Sequence, residues 1–198
     1  MNKHNSKYDA SFTAGGLLIN EFLALKPVLL GDDLKENLKL EVEENKRIGV
    51  SSKSARKRIV LEVTRRVNHA PNQFWDFFYN LDLKEQKLAL LFLCFKTYPL
   101  IFDLHFEVSV KKYKTTGTLT DYDIQMRLDE IASSDDYVAT WSDSTFKKIN
   151  TQYRNALKES GLLSATNLNK SDVYNKSFWS YFKNVGDQLF LTACFIQN

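Results

Sequence analysis

The stretch Trp141–Leu163, WSDSTFKKINTQYRNALKESGLL, holds the start, the face and the stop of a single amphipathic helix. Ser142 or Asp143 can cap it, because a short oxygen-bearing side chain accepts from the free N–H groups of a first helical turn. Phe146, Ile149, Tyr153 and Leu157 recur at steps of three and four, which predicts one inward stripe. Lys147, Lys148, Gln152 and Arg154 fall largely off that stripe, and Ser144 and Thr145 stand in the first turn. Gly161 followed by Leu162 supplies the left-handed stop and the apolar contact that close a helix. Upstream, Asp121–Ile131 places Ile124, Leu128 and Ile131 on one face, and Ser133–Thr140 connects the two. Residues 121–163 therefore read as a helix-turn-helix of winged type with the second helix as the reader. The plain alternative is an αα-hairpin that only packs.

A second segment points the same way. Lys46, Arg47, Lys53, Arg56, Lys57, Arg58, Arg65 and Arg66 lie within 46–66 against one acid, Glu62. That segment carries a net +7 in a chain whose total is +3, so the rest carries −4. Ser51, Ser52 or Ser54 can cap a helix running to Val67, with Ala55, Ile59, Val63 and Val67 facing inward. A helix start offers free N–H donors and a positive dipole end, both suited to phosphate. A polyanion is the functional reading of such a stripe, since each neutralised phosphate releases counterions. A solvated charged face is the alternative.

The other stretches are read more coarsely. Phe12–Leu30 has helical spacing at Leu17, Leu18, Phe22 and Leu25, and Leu34–Glu44 steps by four through Leu34, Leu38 and Val42. Phe74–Tyr79 opens another helix, and Leu83–Leu104 contains the most apolar run, Leu88–Phe95. That run is shorter than the ~20 residues a membrane span needs and predicts a core helix. Val108–Thr120 alone has strand-like composition, with a turn at Gly117, and Phe178–Phe190 predicts a last aromatic helix. Among 198 residues, 43% are hydrophobic while Gly and Pro number 7 and 3, which excludes a disordered chain and a turn-dense all-β fold.

Nothing in the pattern specifies catalysis. There is no Gly-rich phosphate loop, and Gly15–Gly16 lacks the Lys and Ser or Thr that would follow. His4, His69 and His105 have no ligand spacing with the two cysteines, and His105 reads as a core histidine. Asp103 and Glu107 flank it four apart, a pairing taken as structural. Cys94 and Cys194 sit in apolar settings and read as two buried thiols, with one disulfide between them as the alternative; with the lack of an apolar leader in the first dozen residues this predicts a cytoplasmic protein.

Three segments, YDASFTAGGLLINEFLALKPVLL (8–30), NKRIGVSSKSARKRIVLEVTRRV (45–67) and the 141–163 stretch, resemble the BrxA family of the bacterial BREX phage-defence systems. The pattern Trp-Ser-x-Ser-Thr, then Lys-Lys, then Gly-Leu-Leu is the most specific part. The resemblance implies a small helical protein that binds DNA without being an enzyme. The family has also been described as an inner-membrane protein, a label this sequence does not fit.

The expected fold is mainly α, with two helix-turn-helix or winged-helix-like halves and at most a small β-hairpin near 108–120. The expected domains are an N-terminal half over 1–80 with the basic helix and a C-terminal half over 81–198 containing the winged segment. The expected function is a non-enzymatic DNA-binding accessory component of phage defence. Its contacts would be Lys46, Arg47, Lys53, Arg56, Lys57, Arg58, Arg65, Arg66, Ser144, Thr145, Lys147, Lys148, Gln152 and Arg154. Base edges would fall to Arg56 and Gln152, and phosphates to most of the others. Double-stranded DNA is the expected partner, with other BREX proteins as further ones; no cofactor, metal or membrane is expected. The alternatives are an assembly adaptor docking an acidic protein and a helical RNA-binding protein.

Overall fold

The computed structural model describes residues 6–196, so His4 lies outside it. The chain is mainly α-helical, and the contacts of the described residues divide it into two compact units, 17–97 and 6–16 with 98–196.

In the unit spanning 17–97, helices α1 (Ile19–Ala24), α2 (Lys26–Leu29), α3 (Leu34–Glu44), α4 (Lys53–Val67), α5 (Phe74–Tyr79) and α6 (Leu83–Thr97) follow one another. The long helix expected over Phe12–Leu30 is broken. Gly16 and Leu18 take left-handed backbone (φ 59° each), and Pro27 starts a fresh turn in α2. Helix α6 is buried on nearly every side through Leu88–Phe95, as its all-apolar run predicts. The core also gathers aromatic rings: Trp75 stacks on Phe22 at 5.2 Å, and Phe74 faces Phe78 and Phe92 at 6.1 and 6.2 Å.

The other unit begins with Phe12 edge-on to Tyr98 at 5.2 Å. Helix α7 (Pro99–Asp103) continues through a π-helical turn, Leu104–Ser109, into α8 (Val110–Thr115). The strand-like stretch 108–120 is thus helix as far as Thr115. Val108 and Val110 are buried there, and burial against neighbouring elements outweighs a β-branched residue's small aversion to helix. Helix α9 (Asp121–Ser134) starts on a capping box between Thr120 and Asp123 and buries Ile124, Leu128 and Ile131. Helix α10 (Asp143–Glu159) is capped by Ser142, whose side chain accepts from the Thr145 N–H.

The β-hairpin lies after α10, not within 108–120. Strands β1 (Leu163–Ser164) and β2 (Asn167–Leu168) pair antiparallel, with Leu163 opposite Leu168. Thr118 bridges Asn167 on the other edge, where Leu119 N donates to Thr166 O and Leu168 N to Gly117 O, both at 2.8 Å. The expected last helix is two, α11 (Lys176–Asn184) and α12 (Leu189–Ala193), parted at Gly186 with φ 80°.

Gly161 ends α10 at φ 80°, with Leu162 N bonded to Leu157 O at 2.9 Å. A Cβ built there meets nothing within 4 Å, so only backbone strain opposes a side chain. Gly161→Ala is therefore expected to cost about 1–2 kcal/mol in thermal or urea unfolding. An unchanged midpoint would show that the stop does not depend on glycine.

Candidate functional site

The α3–α4 pair shows how the basic stripe is distributed. Helix α3 ends in glutamates that meet three of the eight cations: Lys53 Nζ lies 2.5 Å from Glu43, Lys46 2.6 Å from Glu44, and Arg47 3.5 Å from Glu41. Glu41 is itself buried, and its Oε1 accepts the Arg47 and Ile48 N–H groups at 2.7 and 2.8 Å. That carboxylate fixes the turn after Asn45, which stands at φ 53°.

Two more of the cations belong to the interior. Arg56 is 7% exposed and donates to the carbonyls of Val42, Val50 and Ser51 at 2.7–2.9 Å. Arg66 is fully buried, donates to Leu17 O at 2.7 Å and lies over the Phe22 ring. The buried residues of α4 are accordingly Arg56, Val60, Glu62, Val63 and Arg66, a face turned by about one residue from the Ala55–Ile59–Val63–Val67 stripe. Ser52 is the cap. Arg65 is half-buried. Lys57 and Arg58 remain exposed, with no ion pair among the described residues. Beside them Leu61 is 58% exposed on the same outer side of α4.

In the other unit, α10 keeps its expected inward stripe of Phe146, Ile149, Tyr153 and Leu157, joined by Asn150 and Ala156. Ser144, Lys147 and Lys148 are exposed in its first turns, and Thr145 is half-buried. Ser144 and Thr145 place their hydroxyls on Ser142 Oγ at 2.9 and 3.0 Å. Gln152 is half-buried beside Gly16, where an added Cβ would stand 3.1 Å from its Oε1. Arg154 is half-buried on the side facing α9.

Sequence reasoning missed the rest of the outer face of α10, where Thr151, Asn155 and Lys158 follow Ser144 and Lys148 at helical spacing. It also missed the hairpin tip, Ser164–Asn167, which is exposed throughout. The tip is a two-residue turn without glycine, with Ala165 at φ 53°, so the usual Asn-Gly or Asp-Gly signal is absent.

The chemistry-bearing groups behind α10 are bonded to one another. His105 Nε2 donates to Ala193 O at 2.8 Å, since a carbonyl can only accept; Nδ1 is then bare and takes the Tyr153 O–H at 2.9 Å. Tyr153 in turn accepts from Ser109 Oγ at 2.6 Å. Complete burial holds the imidazole neutral, down at about 4. Burial alone would raise Asp103, but bonds from Arg127 Nε (2.8 Å) and Tyr8 Oη (2.8 Å) hold it below its ordinary value. Glu107 pairs with Lys111 instead. Cys94 and Cys194 are buried free thiols, and burial raises Cys194 well above its ordinary value. Among the described residues no His, Cys, Asp and Glu group could hold a metal ion, and no single helix is long and apolar enough to cross a membrane.

A family model described as BrxA matches residues 6–174. No curated protein matches the chain. A crystal structure of an uncharacterized protein from Magnetospirillum magneticum is similar over 96% of this chain and 98% of that one, with a TM-score of 0.76. At 19% identity that similarity shows a common fold and nothing more.

Proposed function

Because this chain belongs to the BrxA family and is thereby a component of a BREX phage-defence system, we propose that it serves there as a non-enzymatic, DNA-binding accessory protein. The observation that carries this reading is the order of elements around α10. Helix α8, an edge segment at 117–119, α9, α10 and the β1–β2 hairpin follow in the sequence of a winged helix-turn-helix. In such a unit the second helix of the pair enters the major groove and the hairpin lies alongside. Here that helix is α10, with Ser144, Lys148, Thr151 and Asn155 outward, and hydroxyl, ammonium and amide groups suit both phosphates and base edges.

The other unit would add phosphate contacts through Lys57 and Arg58. Arg56, being buried, drops out as a base reader, as does Arg66 as a phosphate contact. The non-enzymatic reading rests on how His105, Tyr153 and Asp103 are engaged: their polar atoms hold elements of the fold together. A cytoplasmic location goes with that role.

The test is duplex binding by fluorescence anisotropy at fixed salt. Lys57→Glu/Arg58→Glu is expected to weaken binding at least about tenfold with an unchanged melting temperature, because two exposed phosphate contacts become repulsions. Lys148→Glu is expected to do the same through α10. Undiminished binding by both variants would contradict the proposal. A second reading, docking of an acidic protein, is favoured by exposed Leu61 beside those cations. It predicts that partner proteins stay bound after nuclease digestion.

A further inference from the structure

Helices α9 and α10 leave a groove of about 540 Å³ between them, within the size range of ligand sites. Its walls carry three carboxylates, Asp121, Asp129 and Asp143, against two cations, Lys147 and Arg154. It therefore differs from the outer face of α10, and the aspartates repel phosphate.

Two atoms of this groove are left without partners. Asn150 is 6% exposed, and its Nδ2 donates to Asp121 O at 2.8 Å. That bond fixes the amide's orientation, so flipping it cannot help, and Oδ1 remains a buried acceptor without a donor. One turn further along α10, the buried Arg154 Nε is a donor without an acceptor. Buried polar groups are nearly always paired, and each exception has an energetic cost. One residue of an extended chain can answer both, since its N–H can donate to Oδ1 and its own C=O, on the same edge, can accept from Nε. The long Lys147 and Arg154 side chains have only to swing aside to admit it. At the rim Tyr122 is 68% exposed and offers a ring for an apolar or cationic side chain.

We infer that the α9–α10 groove is a docking site for a short, extended, basic segment of a partner protein, separate from the DNA-contacting face. The carboxylates select Lys or Arg side chains, and the Asn150–Arg154 pair reads the backbone between them. The inference does not depend on DNA binding.

The test is an NMR titration of the full chain with two capped peptides, acetyl-Ala-Lys-Ala-Lys-Ala-amide and its Glu counterpart, into the millimolar range expected of such short ligands. The Lys peptide is expected to shift the amides of Gln125, Asp129, Asn150 and Arg154, and the Glu peptide to leave them in place. Asp129→Lys, at an exposed position, is expected to weaken the Lys peptide about tenfold without changing duplex affinity. Asn150→Leu, with its folding checked by its spectrum, is expected to weaken it likewise. Equal shifts by both peptides, shifts confined to other surfaces, no shifts, or full affinity in both variants would overturn the inference. So would displacement of the bound peptide by duplex DNA, which would make the groove part of the DNA surface.

Discussion

Arg66→Ala is expected to destabilise the protein by about 3 kcal/mol or more, although charge patterning places Arg66 in a nucleic-acid contact. The residue is fully buried, and its guanidinium donates to the Leu17 carbonyl just before left-handed Leu18. Truncation leaves that carbonyl unpaired, and bonds from charged donors are worth about 1.5–3 kcal/mol. It also opens space next to Phe22, which adds a cavity cost. Tyr79 Oη donates to Phe22 O at 2.5 Å, so the segment is held at two points, and losing one does not abolish the fold. Urea unfolding of the unliganded protein measures the effect. Wild-type stability combined with lost DNA binding would return Arg66 to the contact set.

Acidification is expected to lower stability by about 3 kcal/mol between pH 6.5 and pH 4, through His105. In the unfolded chain an imidazole titrates near 6.5, whereas in the fold complete burial holds it near 4. Between those values the unfolded state takes a proton that the folded state refuses, so stability falls as pH falls. Above 6.5 the full stability is present. Asp103, Asp123 and Asp135 are held below the ordinary carboxylate range, so their stabilisation fades only at lower pH. Protonation at Nδ1 would set a new N–H against the Tyr153 O–H, which links the loss to the π-helical turn and to the Ala193 carbonyl beyond it. Urea midpoints at pH 7, 6, 5 and 4.5 test this, with His105→Gln as the control in which the slope flattens. An identical pH profile in that variant would assign the loss elsewhere.

Much of the α10 region was readable from the sequence because every local signal agreed: cap, four-residue stripe and Gly161 stop. Helix α4 was readable as a helix but not in its rotation. Helical patterning assigns arginine to the outside, yet a long apolar stem lets Arg56 and Arg66 lie inward and deliver charge to backbone carbonyls. The net +7 of 46–66 was real but overstated the surface charge, because the glutamates of α3 lie just upstream and fold back onto it. The 108–120 stretch misled for the opposite reason. Its residues favour strand locally, but buried Val108 and Val110 continue a helix begun at Pro99. The hairpin went unseen because its four strand residues and glycine-free turn leave no periodic signal.

The proposed function has exposed cations on α4 and α10 hold DNA through its phosphates. The most direct test is the salt dependence of duplex binding by the full chain. If Lys57, Arg58, Lys148 and Lys158, exposed on the outer faces of α4 and α10, each neutralise one phosphate, the plot of log affinity against log salt has a slope of about −4. Affinity then falls about a hundredfold between roughly 50 and 200 mM salt, and Lys57→Glu/Arg58→Glu shallows the slope by about two. Absence of duplex binding at low salt, or a slope that this variant leaves unchanged, would contradict the account.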